Sequence, residues 1–210
     1  MRRKLQRVSG VRGQGRASRN IRLGQTHMQA AFPGNHFELF QLPVGFDIDL
    51  GALTARYRDL QRSVHPDRFA SAPDRDRRTS MQAATQLNDA FQTLKDPMRR
   101  ARYMLELAGV HMDDQDTAME PEFLMEQMEL REALDEAKHS ESPEASINRL
   151  MVTVGRLQSG IIDQINEQFA RGDDRSLEVV AVSVRKLQFL TRLREEIEEL
   201  EDELSASVDD

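Results

Sequence analysis

Leu53, Tyr57, Leu60 and Val64 fall within about 60° of one another at 100° per residue, so residues 50–64 are predicted to form a helix with one apolar stripe. Ala84, Leu87, Phe91 and Leu94 repeat that stripe, which predicts a partner helix over 78–94. The first helix must stop at Val64, because Pro66 has no backbone N–H and drives His65 away from helical dihedrals. Ser63-Val64-His65-Pro66-Asp67-Arg68-Phe69 therefore forms the tip of a helical hairpin, and residues 70–76, with Pro73, read as loop. Upstream, Phe37-Glu38-Leu39-Phe40 is a short turn closed by Pro43 and Gly45, with Asp47 or Asp49 placed to cap the first helix. Downstream, Asp96-Pro97 ends one helix and opens another that carries Ala101, Tyr103, Met104 and Leu105.

After a polar connection from Gly109 to Thr117, three longer helical patterns follow and no strand. The first runs from Glu120 to Lys138. The second, from Pro143 to Ala170, carries Ile147, Leu150, Met151, Val154, Leu157, Ile161, Ile165 and Phe169 at near-heptad spacing. Gly172-Asp173-Asp174 turns the chain into a third, Ser176 to Leu204, with Leu177, Val180, Val184, Leu187, Leu193, Ile197, Leu200 and Leu204. The expected fold class is all-α: an N-terminal helical hairpin unit followed by an antiparallel three-helix bundle. The expected organisation is a basic extension over 1–34, the hairpin unit over 35–108, a linker over 109–118 and the bundle over 119–206.

Composition narrows the chemistry. The chain has no Cys, which removes disulfides, thiolate metal sites and Cys nucleophiles together. No apolar run approaches the length of a membrane span, so neither membrane insertion nor a membrane partner is expected. Arg2, Arg3, Lys4, Arg7, Arg12, Arg16, Arg19 and Arg22 lie in residues 1–27, which contain no acid. Taking these eight cations from the formal net charge of −7 leaves −15 on the rest, a poor surface for nucleic acid. The extension reads as disordered, and three roles compete for it. It is a basic arm, an organellar targeting peptide (the less favoured reading), or sequence upstream of a natural start at Met28.

Catalysis by the chain itself is not expected. There is no Ser-centred elbow and no glycine-rich phosphate loop, and His27, His36, His65, His111 and His139 lack metal-ligand spacing. Glu195, Glu196, Glu198 and Glu199 read as the solvated face of a charged helix. No cofactor and no metal are expected. On the Glu120–Lys138 helix, Phe123, Leu130 and Leu134 form the core stripe, while Leu124, Met125 and Met128 point 100 to 200° away, bordered by Glu129 and Glu132. Either that second face is buried against the N-terminal unit, or it is an exposed Met-rich partner site. Phe189, off the main stripe of its helix, either joins that surface or packs with Leu193.

A His-Pro-Asp tip following a helix with a basic outer face resembles a J domain, whose hairpin engages a DnaK-type chaperone and stimulates its ATPase. The resemblance covers residues 36–105 and places His65, Pro66 and Asp67 on the defining motif and Arg56, Arg58 and Arg62 on the basic docking face. The segments 37–43 (FELFQLP), 123–132 (FLMEQMELRE) and 184–190 (VRKLQFL) further resemble HscB, the J-type co-chaperone of iron–sulfur cluster assembly. That resemblance implies two partners, an HscA-like chaperone and an IscU-like scaffold, in a bacterial cytoplasm. It assigns scaffold binding to Leu124, Met125, Met128, Glu129, Glu132 and Phe189. The alternatives are a J protein serving another client, and a purely structural helical-bundle interaction protein.

Overall fold

The computed structural model describes residues 34–69, 72–113 and 119–208, all within one compact unit. The basic extension, apart from its last residue, and the final five residues of the 109–118 connection lie outside the described residues. Every regular element among the described residues is helical.

The first helix, α1 (His36–Leu39), is capped by Asn35, whose Oδ1 accepts from the Glu38 N–H at 2.9 Å. It ends in a Schellman turn: Gln41 N–H donates to the Glu38 carbonyl at 3.0 Å and Leu42 N–H to the Phe37 carbonyl at 2.9 Å. Gln41 takes the left-handed conformation, φ +55°, that glycine usually fills there. Of the two capping candidates, Asp49 opens α2 (Leu50–Val64), accepting from Ala52 N–H at 2.9 Å.

The partner helix α3 (Asp74–Lys95) begins one turn earlier than the expected 78, so Asp74 and Asp76 are helical rather than loop. That first turn is solvent-exposed and therefore shows no apolar period, but its carboxylates suit the positive end of the helix dipole. The α2 stripe meets α3 as expected: Tyr57 stacks on Phe91 with centroids 4.1 Å apart, and its hydroxyl donates to Asn88 Oδ1 at 2.8 Å. Phe37 and Phe40 seal the bottom of this core. Helix α4 (Pro97–Leu107) follows with Asp96 as cap, accepting from Arg99 N–H at 2.7 Å. His36 stacks on Tyr103 at 4.2 Å. Burial there holds its pKa below 6.5, against the opposing pull of Asp89 and Glu106.

The C-terminal helices are α5 (Pro121–Lys138), α6 (Pro143–Arg171) and α7 (Asp174–Val208). Gly172, at φ +66°, closes α6 by donating to the Gln168 carbonyl, and Asp173 accepts from Ser176 N–H at 2.8 Å to start α7. The α6–α7 hairpin is the backbone of this half. With 18 residues, α5 is about 27 Å long and covers only part of it, because the 35 residues of α7 reach about 52 Å. Leu130, Leu134 and Ala137 of α5 pack with Ile147, Leu150 and Val154 of α6 and with Leu190, Leu193 and Ile197 of α7.

The other part of the hairpin is covered from the N-terminal side. Ala101 and Leu105 of α4 and Phe46 from the α1–α2 loop share a core with Ile165, Val180, Val184 and Leu187. Val110 and Met112, from the expected linker, pack on the same cluster. Phe46 lies 5.8 Å from the Phe169 ring on one side and 4.8 Å from the Arg100 guanidinium on another. Arg100 is buried, donates to the Leu94 carbonyl at 2.6 Å and stands near Asp96 and Asp47. Its cation is thus held by a carbonyl and a ring face, in the field of two carboxylates.

Candidate partner-binding surfaces

Two surfaces result, one at the tip of the α2–α3 hairpin and one on α5. At the first, α2 ends because His65 turns to extended dihedrals (φ −61°, ψ 129°) before Pro66–Phe69 forms a 3-10 turn. The last carbonyl of α2 is not left to water. Ser80 Oγ, fully buried on α3, donates to the Val64 carbonyl at 2.7 Å and fixes the base of the tip. The Asp67 N–H donates to His65 Nδ1 at 3.3 Å, which ties the imidazole to the backbone of the tip. The Asp67 carboxylate lies 3.6 Å from the same nitrogen.

His65 and Asp67 have side chains 50% and 90% exposed. Arg56, Arg58 and Arg62 are exposed along α2, with Arg62 paired to Asp59 and donating to the Arg58 carbonyl. The tip is thus a short, braced polar protrusion at the end of a cationic helix.

The second surface resolves the two readings of α5. Phe123, Leu130 and Leu134 are buried, as the stripe predicted, while Leu124, Met125 and Met128 are 45%, 63% and 72% exposed. The face is not covered by the N-terminal unit. Glu129 and Glu132 are exposed beside it. Phe189 reaches this region from α7, half-buried, with its ring edge-on to Phe123 at 5.8 Å and 87°. It packs on the core cluster that includes Leu193 and stays partly exposed.

Sequence reasoning missed what holds Phe189 there. The Arg131 guanidinium sits 5.7 Å over its ring and binds Glu196 with two hydrogen bonds of 3.0 and 3.2 Å. Lys186 likewise covers Phe123 at 5.2 Å while contacting Glu120 at 2.6 Å. Glu196 thus has a structural partner, whereas it had been read as one of a solvated run. Arg131 and Glu196 are 65 residues apart, and no periodicity in the sequence links them.

Known proteins resemble this chain in sequence and in fold. A family model described as the HSCB C-terminal oligomerisation domain matches residues 119–198. A co-chaperone protein HscB homolog from Vibrio cholerae is 44% identical over 171 residues, covering 81% of this chain and 98% of the relative. One from Photobacterium profundum is 47% identical over 169 residues, covering 80% and 97%. Among solved structures, chaperone HscB from Vibrio cholerae matches with TM-score 0.75 and 43% identity over 81% of this chain and 99% of its own. Human co-chaperone protein HscB matches with TM-score 0.76 and 31% identity, over 90% and 93%. An N-terminal J domain joined to a C-terminal helical bundle, at this level of identity along nearly the whole length of its relatives, places the chain in the HscB family of co-chaperones.

Proposed function

We propose that this co-chaperone couples a DnaK-type chaperone of the HscA kind to an IscU-like scaffold during iron–sulfur cluster assembly in the bacterial cytoplasm. The observation that carries this is the exposure of Leu124, Met125 and Met128 on a helix whose opposite face is fully committed to the core. An apolar, Met-rich patch rimmed by Glu129 and Glu132 suits a folded client. The His65-Pro66-Asp67 tip and the Arg56, Arg58 and Arg62 face suit an acidic chaperone surface, where a rigid protrusion biases the chaperone's conformational equilibrium. The chain contributes no catalytic group of its own; it switches on hydrolysis in its partner. Residues 35–108 act as the J domain and 119–206 as the scaffold-binding domain. Holding both partners on one chain raises the client's effective concentration at the chaperone.

Steady-state ATPase of the chaperone, with and without this protein and purified scaffold, tests the reading. Synergistic stimulation by protein and scaffold together is expected. His65→Gln should abolish stimulation while leaving scaffold binding and the fold intact; a fully active H65Q variant refutes the role of the tip. Met125→Ala with Met128→Ala should weaken scaffold binding and change unfolding free energy by no more than about 0.5 kcal/mol, as expected for exposed positions. A large stability loss would place these residues in the core instead.

A further inference from the structure

The chain has no Cys and no Trp, so its methionine thioethers are the side chains most readily oxidised by an oxygen-transferring oxidant. They are unevenly placed. Met98, Met104, Met112, Met119 and Met151 are half-buried, whereas Met125 and Met128 are among the most exposed apolar side chains described. The two sit three residues apart on α5 and share a face, so one encounter surface presents both sulfurs to solvent. That face is the proposed scaffold-binding patch.

We propose that Met125 and Met128 are a reversible oxidation site through which peroxide weakens client binding. The inference rests on the client reading of α5. In each step hydrogen peroxide transfers one oxygen atom to the thioether sulfur. The sulfur is oxidised to the sulfoxide, the O–O bond breaks and water leaves. The product is a polar, chiral group with a strong acceptor oxygen where an adaptable apolar side chain had been. Beside the acidic Glu129 and Glu132 that oxygen adds a further acceptor, and it no longer suits an apolar partner surface. A methionine sulfoxide reductase returns the thioether at the expense of a thiol reductant. The core is insulated, because the buried face of α5 holds Phe123, Leu130, Leu134 and Ala137 and no methionine.

The test uses the full chain, hydrogen peroxide, purified scaffold and peptide mass mapping. Met81, exposed on α3, is first replaced in a Met81→Leu background so that J-domain oxidation does not contribute. Expected are one added oxygen on each of Met125 and Met128 ahead of the half-buried methionines, and protection of both by bound scaffold. Scaffold affinity should fall about tenfold, roughly the loss of 1.4 kcal/mol, and return after reductase treatment. Met125→Leu with Met128→Leu, whatever its own starting affinity, should show no peroxide-dependent change. Unchanged affinity of the oxidised protein, or an equal loss in the double-Leu variant, overturns the proposal. If Met125→Ala with Met128→Ala binds scaffold normally, the client reading itself fails, and the oxidation site falls with it; if that variant binds poorly but the sulfoxide binds well, only the redox inference fails.

Discussion

Phe46 is a single aromatic in a loop, yet its removal should be felt by both halves of the molecule. It is 4% exposed and belongs to the core that α4 shares with α6 and α7. Phe46→Ala removes a fully packed ring from a site bounded by helices that cannot easily collapse, which costs about 3–5 kcal/mol. The contact with Phe169 supplies about 1 kcal/mol of that, and the Arg100 guanidinium loses a ring face in a desolvated place, about another 1 kcal/mol. We therefore expect a loss of about 4 kcal/mol in urea unfolding followed by circular dichroism, against a total of about 5–15 kcal/mol for a domain of ordinary stability. Phe46→Leu keeps most of the volume and should lose only the ring-specific part, about 1–2 kcal/mol. The transition of the Ala variant should also broaden or split, since the α2–α3 core and the α5–α6–α7 core would then unfold with less mutual support. A loss below about 1.5 kcal/mol in a single sharp transition would refute the idea that this shared core holds the two halves together.

Two other expectations follow from local geometry. Gln41→Gly should stabilise the protein by about 0.5–1 kcal/mol, read from the denaturation midpoint, because glycine relieves a left-handed residue at the end of α1 without disturbing its two capping hydrogen bonds. Stability should decline on acidification in two windows. The His36 pKa is lowered by burial, so the folded state resists protonation and stability falls as pH drops through 6.5 toward its lower folded value. Hydrogen bonds from Ser176 lower the Asp173 pKa, so its contribution is present above its ordinary 3.8 and lost as pH falls through the folded value. Asp173→Asn should flatten this second decline in a pH series of denaturation curves, and NMR titration should place the His36 midpoint below 6.5.

What the sequence discloses here is set by periodicity. The stripes of α2, α3, α6 and α7, and the stop imposed by Pro66, follow from spacing alone, because each buries one face against a helix of similar length. The outward face of α5 was visible as an off-stripe set, but whether it was covered depended on where α4 goes. Helix α4 carries apolar residues toward both cores, with Met104 touching each, and no pattern within it says that its Ala101–Leu105 side meets α7. Phe46 sits in an alternating run, Leu42, Val44, Phe46, Ile48 and Leu50, whose period suits a strand, whereas the segment is a loop leading into α2, so the pattern does not say which core Phe46 joins. The clamp on Phe189 is likewise silent in one dimension, since its parts come from two helices far apart in the chain.

Helix α7 touches α4 through Val180–Leu187 and α5 through Leu190–Ile197, so a single rod carries the mounting points of both surfaces. Its length acts as a ruler. Inserting one residue between these stretches would lengthen the rod by only about 1.5 Å but swing everything beyond it by about 100°. Seven residues would add about 10 Å while rotating the far end by only about 20°. The spacing between the hairpin tip and the outward face of α5 would therefore tolerate changes of whole heptads, whereas single insertions in this stretch would turn that face away from its side of the molecule.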